Sequence, residues 1–283
     1  MILYDCHMHS DFSSDCKALM EEQAASAAEK GLKGICFTDH MDLEYPNTKE
    51  FGMDFLFDMD EDYSRIDKVR KEYGIRIGKG IEIGLRNEQG VSERVTNGYK
   101  ELLKRDDIDF VVGATHCLDM IDPYLADYWQ GMSVKDSLRR YFIAILENVR
   151  NNPYIDTLAH IDYLVRYARI PGGDPDKYDG RDLYIDGENG DIIDEILRFI
   201  KENGIALEIN TAGLKYGLGY AHPKDWILKR YRDMGGELIT IGSDAHKPEH
   251  VAYAFKETVE KLVALGFKEY AVFEKRKPVF YKL

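Results

Sequence analysis

Hydrophobic positions along the chain follow two alternating rhythms. Short runs rich in β-branched and aliphatic residues, ILYDC, GICFT, IRIGKGIEIG, IDFVVGA, IDTLAH, IALEIN and ELITIGS, read as strands. Between them, apolar residues return every three or four positions. That spacing predicts helices over KALMEEQAASAAEKG and DEDYSRIDKVRKEYG, and near residues 92–105, 133–151, 190–203, 223–235 and 249–265. Seven βα units result. Such alternation calls for a parallel sheet with crossover helices, and seven repeats favour an α/β architecture closed as a distorted (β/α)7 TIM-like barrel over an open doubly wound sheet. Gly31, Gly74, Gly204 and Gly235 precede strands, where a helix C-terminus takes a left-handed residue. The last stretch, EYAVFEKRKPVFYKL, predicts two short β segments around a basic turn that cover the barrel. Two insertions are too long for turns and read as substrate loops: DLEYPNTKEFGMDFLFDMD after the second strand and VRYARIPGGDPDKYDGRDLYID after the fifth.

Composition narrows the class. A length of 283 residues suits one barrel domain spanning 1–283, and 44% hydrophobic with 31% charged residues is a soluble, core-forming balance. The net charge of −13, from 51 acidic and 38 basic residues with no long basic run, disfavours a nucleic-acid partner. An anionic substrate then needs a local positive centre, and bound divalent metals are the strongest available. Cys6, Cys16, Cys36 and Cys117 form no CxxC pair, which argues against disulfide stapling and a zinc ribbon. The N-terminal MILYDCHMHSDFSSD lacks a signal-peptide core, and no apolar run approaches the ~18 residues of a membrane span. A cytoplasmic protein without a membrane partner is expected.

The histidines fall at the C-terminal ends of the predicted strands. His7 and His9 close the first in DCHMHS, His40 the second in FTDH, His116 the fourth in GATH, and His160 the fifth in LAH. Asp244 and His246 close the seventh in GSDAH, and Glu82 in GIEIG brings a carboxylate from the third. A lone buried histidine is more often a hydrogen-bonded core residue than a ligand. Six of the 8 histidines sharing one position type, at the barrel face where active sites assemble, point instead to a metal pocket. His7 and His9 alternate with period two and project to one side of their strand, as do Asp244 and His246. Imidazole with carboxylate suits zinc, iron or manganese, and a bridging Glu82 brings two ions close together. His222 and His250 lie at predicted helix starts and read as cap or surface residues. Asp39 reads as an orienting or structural acceptor, and Asp15 as the N-cap of a helix beginning near Lys17.

The ordered set DCHMHSDFSSD, TDH, GIEIG, GATH, AHIDY and IGSDAH resembles the polymerase and histidinol phosphatase (PHP) superfamily along nearly the whole chain. The resemblance implies a distorted barrel with three divalent metal ions (Zn, Mn or Fe) held by nine ligands: His7, His9, Asp15, His40, Glu82, His116, His160, Asp244 and His246. Asp15 is the position where relatives vary. EEQAASAAEKGLKGICFTDH, HIDYLVRY, EINTAGL and ITIGSDAH look like the monofunctional histidinol-phosphate phosphatases of that superfamily. The activity this implies is hydrolysis of L-histidinol phosphate to L-histidinol and phosphate, with another phosphomonoester or a nucleotide as the alternative substrate.

On that reading a trinuclear centre activates hydroxide, with Glu82, Asp244 and His246 as catalytic residues. A phosphomonoester also wants a cation from the protein: Arg166, then Lys215, then Arg181 are the candidates. Asp42 or Asp119 is a candidate proton donor. Asp42, Glu44, Tyr45, Phe51 and Tyr216 form an acidic, aromatic pocket complementary to an ammonium and an imidazole. Strand six brings Glu208 and Asn210 rather than a ligand, so the substrate is expected to enter through that gap.

Overall fold

The computed structural model describes residues 3–46 and 48–283. Ile2, placed by the pattern in the first strand, and Asn47, in the first insertion, lie outside the described residues. Seven strands pair in chain order, every pair parallel: β1 (Tyr4–Met8), β2 (Gly34–Phe37), β3 (Arg76–Gly84), β4 (Phe110–Ala114), β5 (Thr157–Leu158), β6 (Ala206–Asn210) and β7 (Ile239–Gly242). The crossovers run through α1 (Met20–Glu29), α2 (Met59–Tyr73), α3 (Ser92–Leu102), α4 (Val134–Asn151), α5 (Gly190–Glu202) and α6 (Asp225–Asp233), and α7 (Phe255–Ala264) follows β7. The expected distorted barrel is therefore what forms. Strands such as FVVGA and ALEIN are buried at every position, because helices cover one face and the barrel interior the other.

The barrel closes between β1 and β7 with little ladder. Only His9 N to Ala245 O (3.0 Å) and Asp244 N to His7 O (2.8 Å) join the two backbones there. Side chains complete the seam. The buried Asp5 carboxylate accepts from Ser243 N (2.9 Å), Ser243 Oγ (2.5 Å) and Ala252 N (2.9 Å). Gln23 of α1 donates its amide to His9 O (2.9 Å) and Ala245 O (3.1 Å). Both ligand pairs read from the sequence thus sit at one stitched seam.

Three local expectations change. The first helix begins at Met20 with Leu19 as N-cap, whose N–H is taken by Glu22 at 2.9 Å, so Asp15 is not the cap. The helix expected over 249–265 splits into a short turn at Pro248–His250 and α7, because Lys30 Nζ binds the carbonyls of Pro248, Glu249 and Val251 and draws them out of helical register. The strand IDTLAH keeps only two ladder residues, since His160 turns to a positive φ of 22° just past it. Elsewhere the punctuation holds: Asp58 caps α2 through Asp60 N and Glu61 N, and Gly74 ends it at φ 66°. The C-terminal strands β8 (Glu269–Glu274) and β9 (Lys277–Lys282) form an antiparallel hairpin at the end of the barrel opposite the histidines, with Phe273 stacked on Phe110 at 5.2 Å.

Asp62 on α2 is 1% exposed, and neither carboxylate oxygen has a hydrogen-bond partner. Burial, with Asp39 nearby, pushes its acid up to about 9. The folded state thus holds a proton that the unfolded chain releases near pH 4, so this contribution is full below that pH and is lost as pH rises toward 9. Asp62→Asn should gain on the wild type by on the order of 5 kcal/mol between pH 4.5 and 8.5 in denaturant unfolding. A difference that does not change with pH would show that Asp62 ionises freely in the folded protein.

Candidate metal centre

All nine residues singled out above meet at the C-terminal end of the barrel. β1 carries His7 and releases His9 one residue beyond its end, both turned inward. His40 opens a two-residue strand, His40–Met41, that pairs with β3 so that His40 and Glu82 are register partners. His116 and His160 follow β4 and β5 by two residues, and Asp244 and His246 follow β7. Asp244, like His160, has a left-handed backbone, at φ 52°. Two non-glycine residues in this region mark local strain that the surrounding bonds maintain.

Glu82 stands at the centre. Its Oε2 lies 3.2 Å from His7 Nε2, 3.4 Å from His9 Nε2 and 3.2 Å from His40 Nδ1. Its Oε1 lies 3.1 Å from His160 Nε2 and 3.3 Å from His116 Nε2. Asp244 Oδ1 is 3.5 Å from His9 Nε2 and 3.3 Å from His246 Nδ1. Asp15 Oδ2 completes the rim, 3.2 Å from His246 Nε2 and 3.7 Å from His40 Nε2.

The outer ring nitrogens of His7, His116 and His9 are already committed. His7 Nδ1 meets Glu208 Oε1 at 2.5 Å, and His116 Nδ1 meets Asp42 Oδ2 at 2.7 Å. Ionised carboxylates only accept, so both rings donate from Nδ1 and turn Nε2 toward Glu82. Ser13 Oγ gives its hydrogen to Asp39 Oδ1 (2.6 Å) and accepts from His9 Nδ1 (3.0 Å), which aims His9 Nε2 inward as well. His7 Nε2 and His9 Nε2 then face each other at 3.3 Å, and Glu82 Oε2 is buried without a hydrogen-bond partner. Lone pairs and a carboxylate crowded this way repel one another unless positive charge lies among them. The donor set fits a divalent cation with a taste for nitrogen and oxygen.

Without a metal, protons do part of that work. Burial alone would depress His7, but the Glu208 and Glu82 carboxylates hold it well above its ordinary value, and Asp42 and Glu82 do the same for His116. His9 is pushed down to about 3 by burial and by His246 and His40. Glu82 and Asp244 stay well below the usual carboxylate range despite burial, the first through His7, His40 and His116, the second through its bond to His9 and the nearby His7 and His246.

Outside this ring the structure reassigns several candidates. Asp42 stays in the cavity wall with one oxygen spent on His116, whereas Asp119 is paired with Arg140 away from the cavity. Glu44 pairs with Arg94 at the surface and does not line the pocket. Lys215 Nζ donates to the Asp244 carbonyl at 2.8 Å, and Arg181 binds the Arg166 carbonyl rather than the cavity. The strand-six gap is filled: Glu208 holds His7 and accepts from His160 N (3.0 Å), and Asn210 Nδ2 reaches Glu208 and Asp244. His222 is a buried core residue bound to Asp162 at 2.6 Å, not a cap or surface group, and His250 is half-buried in the Pro248–His250 turn.

The opening lies instead over β2 and β5. A cavity of about 470 Å³ has Glu82, His116, His160, Asp244 and His246 on its floor, with walls from both insertions. Tyr45, Phe51, Met53 and Phe55 come from the first; Arg166 and Tyr167 from the second, with Tyr163 just before it; Tyr216 closes the side. The Arg166 guanidinium carbon sits 4.7, 4.6 and 4.4 Å from the rings of Tyr163, Tyr167 and Tyr216. Sequence reasoning missed Asp122, a buried wall residue that accepts from Tyr45 Oη at 2.5 Å. Its position in a loop after His116 gives no periodic signal.

A parallel barrel whose strand ends gather six histidines and three carboxylates around a cation-shaped space is a metal-binding enzyme scaffold. Comparison with known proteins makes this specific: the PHP domain family matches residues 5–212, and the chain belongs to that family. The "Probable histidinol-phosphatase" of Clostridium acetobutylicum is 35% identical over 97% of this chain and 98% of its own, and that of Thermotoga maritima 32% identical over 99% and 100%. A crystal structure of histidinol phosphate phosphatase from Lactococcus lactis, complexed with Zn, L-histidinol and phosphate, superposes with a TM-score of 0.80 at 28% identity, covering 98% of both chains. Among the described residues no helix is long and apolar enough to cross a membrane.

Because His7 and His116 carry protons that a cation displaces, metal binding should release protons and tighten as pH rises from about 6 to 8. Calorimetric zinc titrations in buffers of different ionisation enthalpy read the release directly. Buffer-independent heats would show that the site is already deprotonated.

Proposed function

We propose that this chain is a metal-dependent phosphomonoesterase that hydrolyses L-histidinol phosphate to L-histidinol and phosphate. The observation that carries the reading is the shared cavity: the Glu82-centred ligand cluster is its floor and the Arg166 guanidinium its wall. The Lactococcus lactis relative, similar along nearly its full length, holds Zn, L-histidinol and phosphate together.

The residues divide naturally among three ions of Zn, Mn or Fe. His7, His9, Glu82 and Asp244 would hold one, Glu82, His116 and His160 a second, and Asp15, His40 and His246 a third. Divalent cations held there would supply Lewis acidity, lowering the pKa of water toward neutrality and offsetting phosphate charge. The protein's own groups do the rest. Arg166, packed among three tyrosine rings, binds phosphate oxygen. Asp244 and His246 orient the attacking water beside Glu82. Asp122, Tyr45 and Phe51 present carboxylate and aromatic surface suited to the cationic, imidazole-bearing end of the substrate. Lys215 supports the Asp244 turn. We take residues 1–283 to work as one barrel unit in the cytoplasm, with neither a nucleic-acid nor a membrane partner; all four cysteines are free and buried, as a reducing compartment permits.

Purified protein loaded with zinc or manganese should bind close to three ions per chain and release phosphate from L-histidinol phosphate faster than from nucleoside monophosphates or simple alkyl phosphates. Arg166→Ala should lower kcat/KM about a hundredfold. No phosphate release from L-histidinol phosphate with either metal sinks this substrate, and faster turnover of a nucleotide transfers the site to that class.

A further inference from the structure

Arg166 rides on a single short turn, Tyr163–Tyr167, that leads into an insertion with little other regular structure. A flexible arginine there would sample many rotamers and bind phosphate weakly. Its rings confine the guanidinium plane, yet the turn itself needs anchors, and two lie outside the cavity. At the leading end is Asp162, 0% exposed, whose backbone carbonyl accepts from Val165 N at 3.1 Å and so starts the turn. Its side chain is held by His222 Nδ1 at 2.6 Å and by Lys224 N at 2.8 Å. His222 is fixed in its turn by a backbone pair with Asn210, N to O at 2.8 Å and O to N at 2.7 Å. The first anchor is therefore tied to β6, behind the ligand cluster. At the trailing end Arg181 donates Nε (2.8 Å) and Nη2 (2.6 Å) to the Arg166 carbonyl and Nη1 (3.3 Å) to the Tyr216 carbonyl. That one side chain fastens both the turn and the loop bearing a ring against which Arg166 packs.

None of Asp162, His222 and Arg181 lines the cavity, and His222 Nε2 is buried without a partner, so no proton path leads from this pair to the substrate. Their geometry makes them supports. We propose that the Asp162–His222 pair and Arg181 are positioning residues that clamp the two ends of the Arg166 turn and thereby set the affinity of the site for phosphate. The proposal rests on Arg166 binding phosphate oxygen, as argued above, but not on which phosphomonoester is the substrate.

The test uses metal-loaded protein with two readouts: binding of inorganic phosphate by calorimetry, and kcat and KM on L-histidinol phosphate. Arg181→Met and His222→Ala should each weaken phosphate binding and raise KM about tenfold, with kcat within about twofold and metal content unchanged. His222→Asn, which keeps a donor near the Nδ1 position, should recover to within about threefold of wild type. In an Arg166→Ala background, Arg181→Met should have no further effect. If His222→Ala does not fold, Arg181→Met, on the outer side of the turn, decides the matter. Unchanged phosphate affinity in Arg181→Met overturns the clamp, as does a loss that adds in full to that of Arg166→Ala, or one that follows metal content. Wild-type protein that binds phosphate but leaves L-histidinol phosphate intact refutes only the substrate. Wild-type protein that binds no phosphate refutes both.

Discussion

A carboxylate buried at the centre of a barrel is expensive, and Glu82 is 1% exposed. What offsets the cost is the ring of imidazole nitrogens within 3.4 Å of its two oxygens, supplied by five histidines from four segments of the chain. Each of those positions follows from a strand end, so the charge at the centre and the closure of the barrel constrain each other. If one strand shifts register, a nitrogen leaves and the carboxylate is left uncompensated. The same crowding is unfavourable to itself without a cation, which couples folding at this face to metal binding. A cation held among these residues would complete the barrel.

The orientation of that ring is set one layer out. Glu208 fixes His7, Asp42 fixes His116, and Asp39 acts on His9 through Ser13, whose hydroxyl also takes the His40 N–H at 3.0 Å. These partners determine which ring nitrogen carries hydrogen, and hence which faces inward. Glu208, Asp42 and Asp39 come from strands and loops other than those of the histidines they serve. Tilting one imidazole therefore means moving a second element, and the donor set is preorganised.

The strand and helix order was legible because burial on one face or both imposes periods of two or 3.6, and those periods survive in a single sequence. The ligands were legible for the related reason that parallel strands deliver their last residues to one face. Asp15 carried no periodic signal; only resemblance picked it out, and the helix it would have capped starts at Met20. Contacts made across long stretches of chain left no local trace. His7 and Glu208 are 201 residues apart, so Glu208 read as a gap in the ring rather than as the group filling it. His222 read as a cap because helical periodicity follows it, whereas its ring is spent on Asp162, 60 residues away. Asp119 reads as a proton donor and Glu44 as a pocket group from their neighbours in sequence, yet each pairs with an arginine at the surface.

Filling the β6 side of the ring has a consequence for charge. Glu208 and Asn210 occupy the space behind His7 and Asp244, so the cavity tilts toward the insertions after β2 and β5. In a chain of net charge −13, an approaching dianion is repelled at long range, and attraction must come from groups it meets last. Arg166 is placed for that encounter: guanidinium remains charged at any relevant pH, and its weak hydration makes stacking among tyrosines tolerable where an ammonium would resist. The deeper positive charge would come from cations that the cluster is able to hold. On the proposed reading, attraction is thus confined to the one small volume between the arginine and the ligand ring, and the acidic surface elsewhere gives anions that do not fit no reason to stay.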